Sequence, residues 1–390
     1  MAMRIDTGVL RDMKAFGAFD IGACFNCGNC TAVCPLSKDS VAFPRRMIRY
    51  AQLGQKEHVV ASRELWLCYY CGECSDTCPR QAEPGEFMAS ARRYAIASFD
   101  PTSLARRLYR SRGFAAAALA AIFAVLVAIL VLTSTGAPLG GSTAEQLFKV
   151  VPYETIHWMG IGAGVIAVLA TMATLVNMFW MMSRAPSPGA AAPADPGPSR
   201  FPLRHAARAA GTTLAEITGQ GRYRDCDTQK PQPTPALPLR RWFVHYSIMG
   251  GMVGLGLATV LDYAFKTPGS YAALWYPPRL LGTVAGAFLV YGATVAIVQR
   301  LRKTDKYSSH TLLSDWLFLW ALWLLGITGF VLELADYAPL AGRWVEAVFL
   351  GHIALAMELI LLLPFTKLAH IVYRPAAIWF TEFRRLRGAQ

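Results

Sequence analysis

Apolar residues are scattered thinly through the first 112 positions and then arrive in long blocks. Six blocks reach the roughly 20 helical residues that cross about 30 Å of hydrocarbon. They lie near 113–133, 154–182, 242–265, 280–299, 312–334 and 344–372. Residues 184–240 interrupt them with Ala185-Pro-Ser-Pro-Gly189 and Pro231-Gln-Pro-Thr-Pro235, the composition of a linker. Inside that linker, 203–219 has the pattern of an amphipathic helix lying at a membrane surface. Upstream, the run from Pro44 to Gly54 carries proline at its first turn and glycine at its stop, and a second helix is predicted from Pro84 through Ser98. The pattern predicts an all-α chain in four parts: a domain over 1–112, two spans over 113–183, a linker over 184–240 and a four-helix membrane unit over 241–390.

Composition agrees, with 54% hydrophobic residues and 10 tryptophans, too apolar for an ordinary soluble enzyme. The net charge of +13 does not mark a nucleic-acid binder, because the basic residues flank the apolar blocks in short clusters. Alternate connections hold 21 Lys and Arg against 4 in the others. By the positive-inside rule both termini, the linker and the first domain are expected in the cytoplasm of a prokaryotic inner membrane. No charged leader with a short apolar core opens the chain, which agrees with that expectation.

Eight of the nine cysteines lie in the first domain, where a reducing compartment favours metal binding over disulfides. Cys24, Cys27, Cys30 and Cys34 precede Pro35, and Cys68, Cys71, Cys74 and Cys78 precede Pro79. Both runs read C-x2-C-x2-C-x3-C-P, the spacing of two-cluster ferredoxins, in which the fourth cysteine of each run ligates the other cluster. The expected ligand sets are Cys24, Cys27, Cys30 and Cys78 for one [4Fe–4S] cluster, and Cys68, Cys71, Cys74 and Cys34 for the other. Zinc knuckles, the alternative, want paired C-x2-C units separated by a dozen or more residues.

Five of the seven histidines fall within or beside the spans, where an ionisable group is a functional candidate by default. His352 and His370 share the last span and are 18 residues apart, five helical turns, so they are expected to face the same way at two depths. His245 follows Arg241 by four residues and His370 precedes Arg374 by four, so their depths match. They are the expected axial ligands of an inner haem b. An outer haem b would take His352 with His157. Arg240, Arg241 and Lys367 lie at the depth of the inner propionates, and Glu358 is a candidate for a quinone site or proton path. His58 and His205 are expected at the surface, and Cys226 is expected to be an incidental thiol. No dinucleotide fingerprint, P-loop, hydrolytic triad or C-x2-C-H motif is present, so flavin is expected to come from a partner.

The run Cys24-Phe-Asn-Cys-Gly-Asn-Cys-Thr-Ala-Val-Cys-Pro35, with Phe43-Pro-Arg-Arg-Met-Ile-Arg-Tyr-Ala-Gln-Leu-Gly54 and Leu65-Trp-Leu-Cys-Tyr-Tyr-Cys-Gly-Glu-Cys74, resembles the C subunits of heterodisulfide reductases over roughly residues 15–98. The last four spans, with His352 and His370, resemble the nitrate reductase gamma family of cytochromes b, which includes the heterodisulfide reductase E subunits. That family has two histidines about three turns apart in its early span, whereas here Leu255 stands where the second would fall. The fusion of the two resembles the membrane subunits of quinone-interacting membrane-bound oxidoreductases. The resemblance implies electron exchange between menaquinone and soluble flavin and iron–sulfur subunits related to heterodisulfide reductase A, coupled to adenosine 5′-phosphosulfate reductase. Two other readings are a heterodisulfide reductase membrane anchor and a redox-sensing membrane module without quinone turnover.

Overall fold

A computed structural model of the chain describes residues 5–18, 20–39, 42–136, 144–184, 202–221, 223–224, 235–265, 273–303, 310–338, 340 and 342–388, and the regular structure among them is entirely helical. Linker residues 185–201, 222 and 225–234, Cys226 among them, lie outside the described residues.

The first domain is a knot of short helices around one long one. These are α1 (Val9–Ala15), α2 (Asn29–Ala32), α3 (Arg45–Gln52), α4 (Lys56–Val60), α5 (Glu64–Leu67), α6 (Glu73–Asp76), α7 (Pro84–Phe99) and α8 (Leu104–Arg110). The predicted helices at 44–54 and 84–98 are α3 and α7. Gly54 ends the turn after α3 at φ +70°, and a Cβ there would sit 2.5 Å from the Asp6 carbonyl oxygen, so only glycine fits. Met13, Phe16, Met47, Ile48, Trp66 and Phe87 are fully buried around α7. This single core carries the cysteine loops on its outside.

Among the described residues six helices are long and apolar enough to cross a membrane: α9 (Arg112–Leu132), α11 (Tyr153–Arg184), α13 (Arg241–Phe265), α14 (Pro277–Arg302), α15 (Leu313–Ala335) and α16 (Arg343–Leu361). Between them fall the short α10 (Ala144–Val150) and the linker helix α12 (Leu203–Gly219), and α17 (His370–Gly388) closes the chain. Glycines set the closest helix pair. A Cβ on Gly251 would lie 2.7 Å from Leu289 N and 2.8 Å from Ala285 O, and one on Gly292 would lie 2.9 Å from Val244 O, so α13 and α14 meet backbone to backbone. Gly250 and Gly256 face open space.

The last apolar block departs from its expected form. It is not one helix over 344–372: α16 stops at Leu361, two 3-10 turns follow at Leu363–Phe365 and Lys367–Ala369, and α17 starts at His370. Pro364 causes the break, because it has no N–H to donate and its ring disfavours helical backbone at the residue before it. His352 and His370 therefore sit on different helices, and the argument from five turns of one helix does not apply. Phe365, Ala369, Tyr373 and Ala377 instead join the core of the first domain. Tyr373 packs edge-on against Trp66 and Phe99, with ring centres 5.6 and 5.9 Å away. Helix α12 runs along α17, with Trp379 Nε1 donating to Ala206 O at 3.2 Å, and its inner face buries His205, which was expected at the surface. Asp315 of α15 receives Lys367 at 2.7 Å and Arg93 of α7 at 3.6 Å, tying the membrane helices to the first domain.

Candidate redox site

The two cysteine motifs fold the same way. Asn26 and Tyr70, the second residue between the first two cysteines of each motif, have φ of +62° and +56°. Gly28 and Gly72, each after a motif's second cysteine, have φ of +97° and +96°. Left-handed residues set in this way turn successive N–H groups inward, the backbone arrangement of anionic and iron–sulfur sites. Tyr70 N donates to Cys68 Sγ at 3.3 Å, and Ala82 N donates to Cys78 Sγ at 3.4 Å. Cys30 is within electrostatic reach of Cys24, Cys27 and Cys78, and Cys74 is within reach of Cys68, Cys71, Cys34 and Cys30. Thiols of both motifs thus lie near one another, a donor chemistry that fits iron–sulfur clusters. Burial pushes the thiols of Cys30, Cys68 and Cys74 up, and that of Cys34 up to about 12. Because iron binds the thiolate, loading such a site must release protons.

The groups differ in setting. Cys27 is exposed, beside exposed Phe25, and Gln52 holds the loop by donating Nε2 to Cys24 O at 2.8 Å. The loop of Cys68 to Cys74 instead faces the membrane helices. Beneath it His245, one turn into α13, meets His370, the first residue of α17, with ring centres 6.2 Å apart. An imidazole nitrogen bonds a metal at about 2.0 Å, which puts the ring centres of two axial ligands about 6 Å apart. His370 Nδ1 lies 2.5 Å from Lys367 O, so the ring keeps Nε2 for a metal. His245 Nδ1 lies 3.3 Å from the Gln220 amide, whose Oε1 is buried without a partner among the described residues. Rotating that amide lets Oε1 accept Nδ1–H and orients His245 for iron. A cavity of about 410 Å³, lined by Met249, Met252, Leu319, Arg92 and Glu86 among others, opens at this pair. The arrangement fits a b-type haem.

Of the remaining predicted residues, His352 and His157 have partners outside the His245/His370 pair. His352 Nδ1 pairs with Thr328 Oγ1 at 2.9 Å, and its ring lies 3.3 Å from where a Cβ on Gly329 would stand. His157 is stacked on Tyr263 and Tyr153, with ring centres 4.6 and 5.8 Å away. Glu358 is buried, and its Oε1 has no partner among the described residues. Lys367 is bound to Asp315, and Arg240 donates to Pro235 O at 3.1 Å. Arg241 donates to Tyr70 O and Cys71 O at 2.7 and 3.1 Å and lines the cavity at the histidine pair. His310 lies at the cavity's rim near Glu86. Sequence reasoning missed Gln220, and Glu216, which accepts a hydrogen bond from Tyr69 at 2.5 Å. Both lie on or just after α12, whose amphipathic pattern showed a helix and not what covers its polar face.

Fold and site together define a class: an all-helical, multi-pass membrane protein with an iron–sulfur electron-transfer domain at its front. Residues 20–82 match the 4Fe-4S dicluster domain family. The citrate utilization protein B of Escherichia coli is 28% identical over 73% of this chain and 70% of its own length. The E subunit of the dihydromethanophenazine:CoB–CoM heterodisulfide reductase of Methanosarcina mazei is 24% identical over 35% of the chain and 58% of its own length. The C subunit of the H(2):CoB-CoM heterodisulfide,ferredoxin reductase of Methanothermobacter thermautotrophicus is 33% identical over 16% of the chain and 34% of its own length. No solved structure matches. The chain is a membrane electron-transfer subunit with an iron–sulfur domain, related to the heterodisulfide reductases.

Proposed function

We propose that the chain carries electrons between menaquinone in the membrane and soluble flavin and iron–sulfur subunits related to heterodisulfide reductase A. On this reading it is the membrane subunit of a quinone-interacting oxidoreductase, linked to adenosine 5′-phosphosulfate reductase in sulfur metabolism. Its units are the iron–sulfur domain 1–112, two spans over 113–183, the linker 184–240 and the cytochrome b unit 241–390, with both termini cytoplasmic. The observation that carries the reading is the histidine pair, 6.2 Å apart, directly beneath the Cys68 loop.

Cys24, Cys27, Cys30 and Cys78 would hold one cluster, Cys68, Cys71, Cys74 and Cys34 the other, and His245 and His370 a haem b. When bound, these groups supply the one-electron steps into which two-electron quinone chemistry divides. The chain's residues do the positioning. Lys367 and Gln220 orient the two imidazoles, and the Trp66–Tyr373–Phe99 packing fixes α17 to the iron–sulfur domain. His352, held by Thr328, together with His157, is the proposed outer haem site, and Glu358 is the proposed quinone or proton-path carboxylate.

The test is a reduced-minus-oxidised visible spectrum of the purified protein, with haem and iron counted per chain and a menaquinol analogue as reductant. Haem reduced by the quinol supports the reading. One haem per chain removes the outer site, and iron without haem removes the quinone route. A second reading is favoured by the long stretch shared with the citrate utilization protein: the same relay serving citrate utilization in place of sulfur metabolism. The dehydrogenase that reduces the purified chain separates the two.

A further inference from the structure

Three guanidinium groups converge on one cysteine loop. Arg92 of α7 donates to Cys68 O at 2.6 Å and to Leu65 O at 3.0 Å. Arg241, the first residue of α13, donates to Tyr70 O and Cys71 O. Arg374 of α17 donates to Cys68 O at 3.1 Å and lies 3.6 Å above the Tyr69 ring. The loop of Cys24 to Cys30 is held by the neutral amide of Gln52, and the guanidinium beside it, that of Arg45, which stands 3.3 Å from where a Cβ on Gly28 would be, is partly open to water and so more strongly screened. The two arginines from the membrane unit also have a fixed relation to the histidines. Arg241 precedes His245 by four residues and Arg374 follows His370 by four, so each helix presents its arginine to the loop one turn from the imidazole it gives to the pair.

We infer that Arg92, Arg241 and Arg374 fasten the Cys68–Cys74 loop over the His245/His370 pair and make the cluster of that loop the more easily reduced of the two. The inference rests on the functional reading above and adds which centre holds the electron at rest. Reduction adds one electron to a cluster and makes or breaks no bond. Its product carries one more negative charge, which nearby cations favour, most strongly where water is excluded. Arg241 is buried, and Arg374 is partly buried between the loop and Tyr69, so salt screens them weakly. A guanidinium keeps its charge across the working pH range, so the bias does not fade as pH rises. The electron therefore rests beside the histidine pair, and the exposed Cys27 side remains the place of exchange with soluble partners.

The test uses full-length purified protein in a dithionite potentiometric titration followed by electron paramagnetic resonance. Wild type is expected to show two cluster midpoints. In Arg241→Gln and Arg374→Gln the higher one falls, with the reduced-to-oxidised ratio at fixed potential dropping about tenfold, or about 59 mV for one electron. The lower midpoint stays where it was. Arg374→Lys restores most of the loss, since the charge returns without the fork geometry. Should a glutamine variant lose iron, Glu216→Gln decides: it removes a negative charge hydrogen-bonded to Tyr69 and must move the same midpoint upward. Midpoints unmoved in iron-replete variants, or both moved equally, overturn the inference and leave the functional reading standing. Wild-type protein without cluster signals overturns both.

Discussion

On the proposed assignment the thiols are grouped across the two motifs and not by order in the chain. Cys78 would serve with Cys24, Cys27 and Cys30, and Cys34 with Cys68, Cys71 and Cys74. Cys34→Ser and Cys71→Ser are thus expected to abolish the same resonance signal, and Cys78→Ser and Cys27→Ser the other. Pairing along the chain would couple Cys34 with Cys27 instead. Glu86 makes a prediction in pH. Burial, against the pull of Arg93, Lys367 and Arg300 and with the push of Asp315, raises its carboxyl to about 8. Between the ordinary carboxylate range and pH 8 the folded chain holds a proton that the unfolded chain has lost, so stability falls as pH rises through that window. Glu86→Gln removes the dependence, raising the unfolding temperature at pH 8 with a gain of about 2–4 kcal/mol and leaving it unchanged near pH 4. The two cysteine motifs were legible from spacing because iron–sulfur chemistry fixes it, and the dicluster family match spans both. Glu86 was not, since only tertiary packing decides whether a glutamate in a helix is dry.

Among the elements, α13 and α14 depend on glycine. Gly292→Leu puts side-chain bulk where a Cβ alone lies 2.7 Å from Ile248 Cγ1 and 2.9 Å from Val244 O. It should lower stability in detergent by about 1–3 kcal/mol through overpacking and reduce bound haem, because His245 rides on α13. Gly250→Leu, facing open space, should do neither. Thermal unfolding together with the haem-to-iron ratio reads both. Five spans matched their hydropathy blocks within three residues at each end, because a long apolar run between charged flanks has one low-energy answer in lipid. The sixth failed at Pro364, where hydropathy runs on across a residue that the backbone cannot. The direction of α12 was equally hidden, since an amphipathic face fits a lipid surface or a neighbouring helix alike.

For the molecule as a whole, the charge asymmetry predicts sidedness. A reporter joined after Gln390 should be active on the inner side and one inserted at 266–272 on the outer side; the reverse would invert every span. Fold class was readable at this scale because membrane crossing and cluster binding each leave a coarse pattern. The docking of the iron–sulfur domain on the membrane unit was not, as it depends on Arg92, Arg241, Arg374 and Tyr373, none of which belongs to a motif.

The break at Pro364 separates the histidine pair mechanically. His245 belongs to the membrane helix α13, while His370 begins a helix whose Tyr373 and Ala377 pack into the core of the iron–sulfur domain, together with Met178 and Met182 of α11. A metal bound by both is therefore a rivet through two bodies, and whatever holds it stabilises their seam by mass action. Haem-depleted protein should accordingly be cut faster by protease at the inter-domain segments than haem-loaded protein with the same iron content, and stretching or thinning the bilayer should loosen the rivet before it unfolds either body.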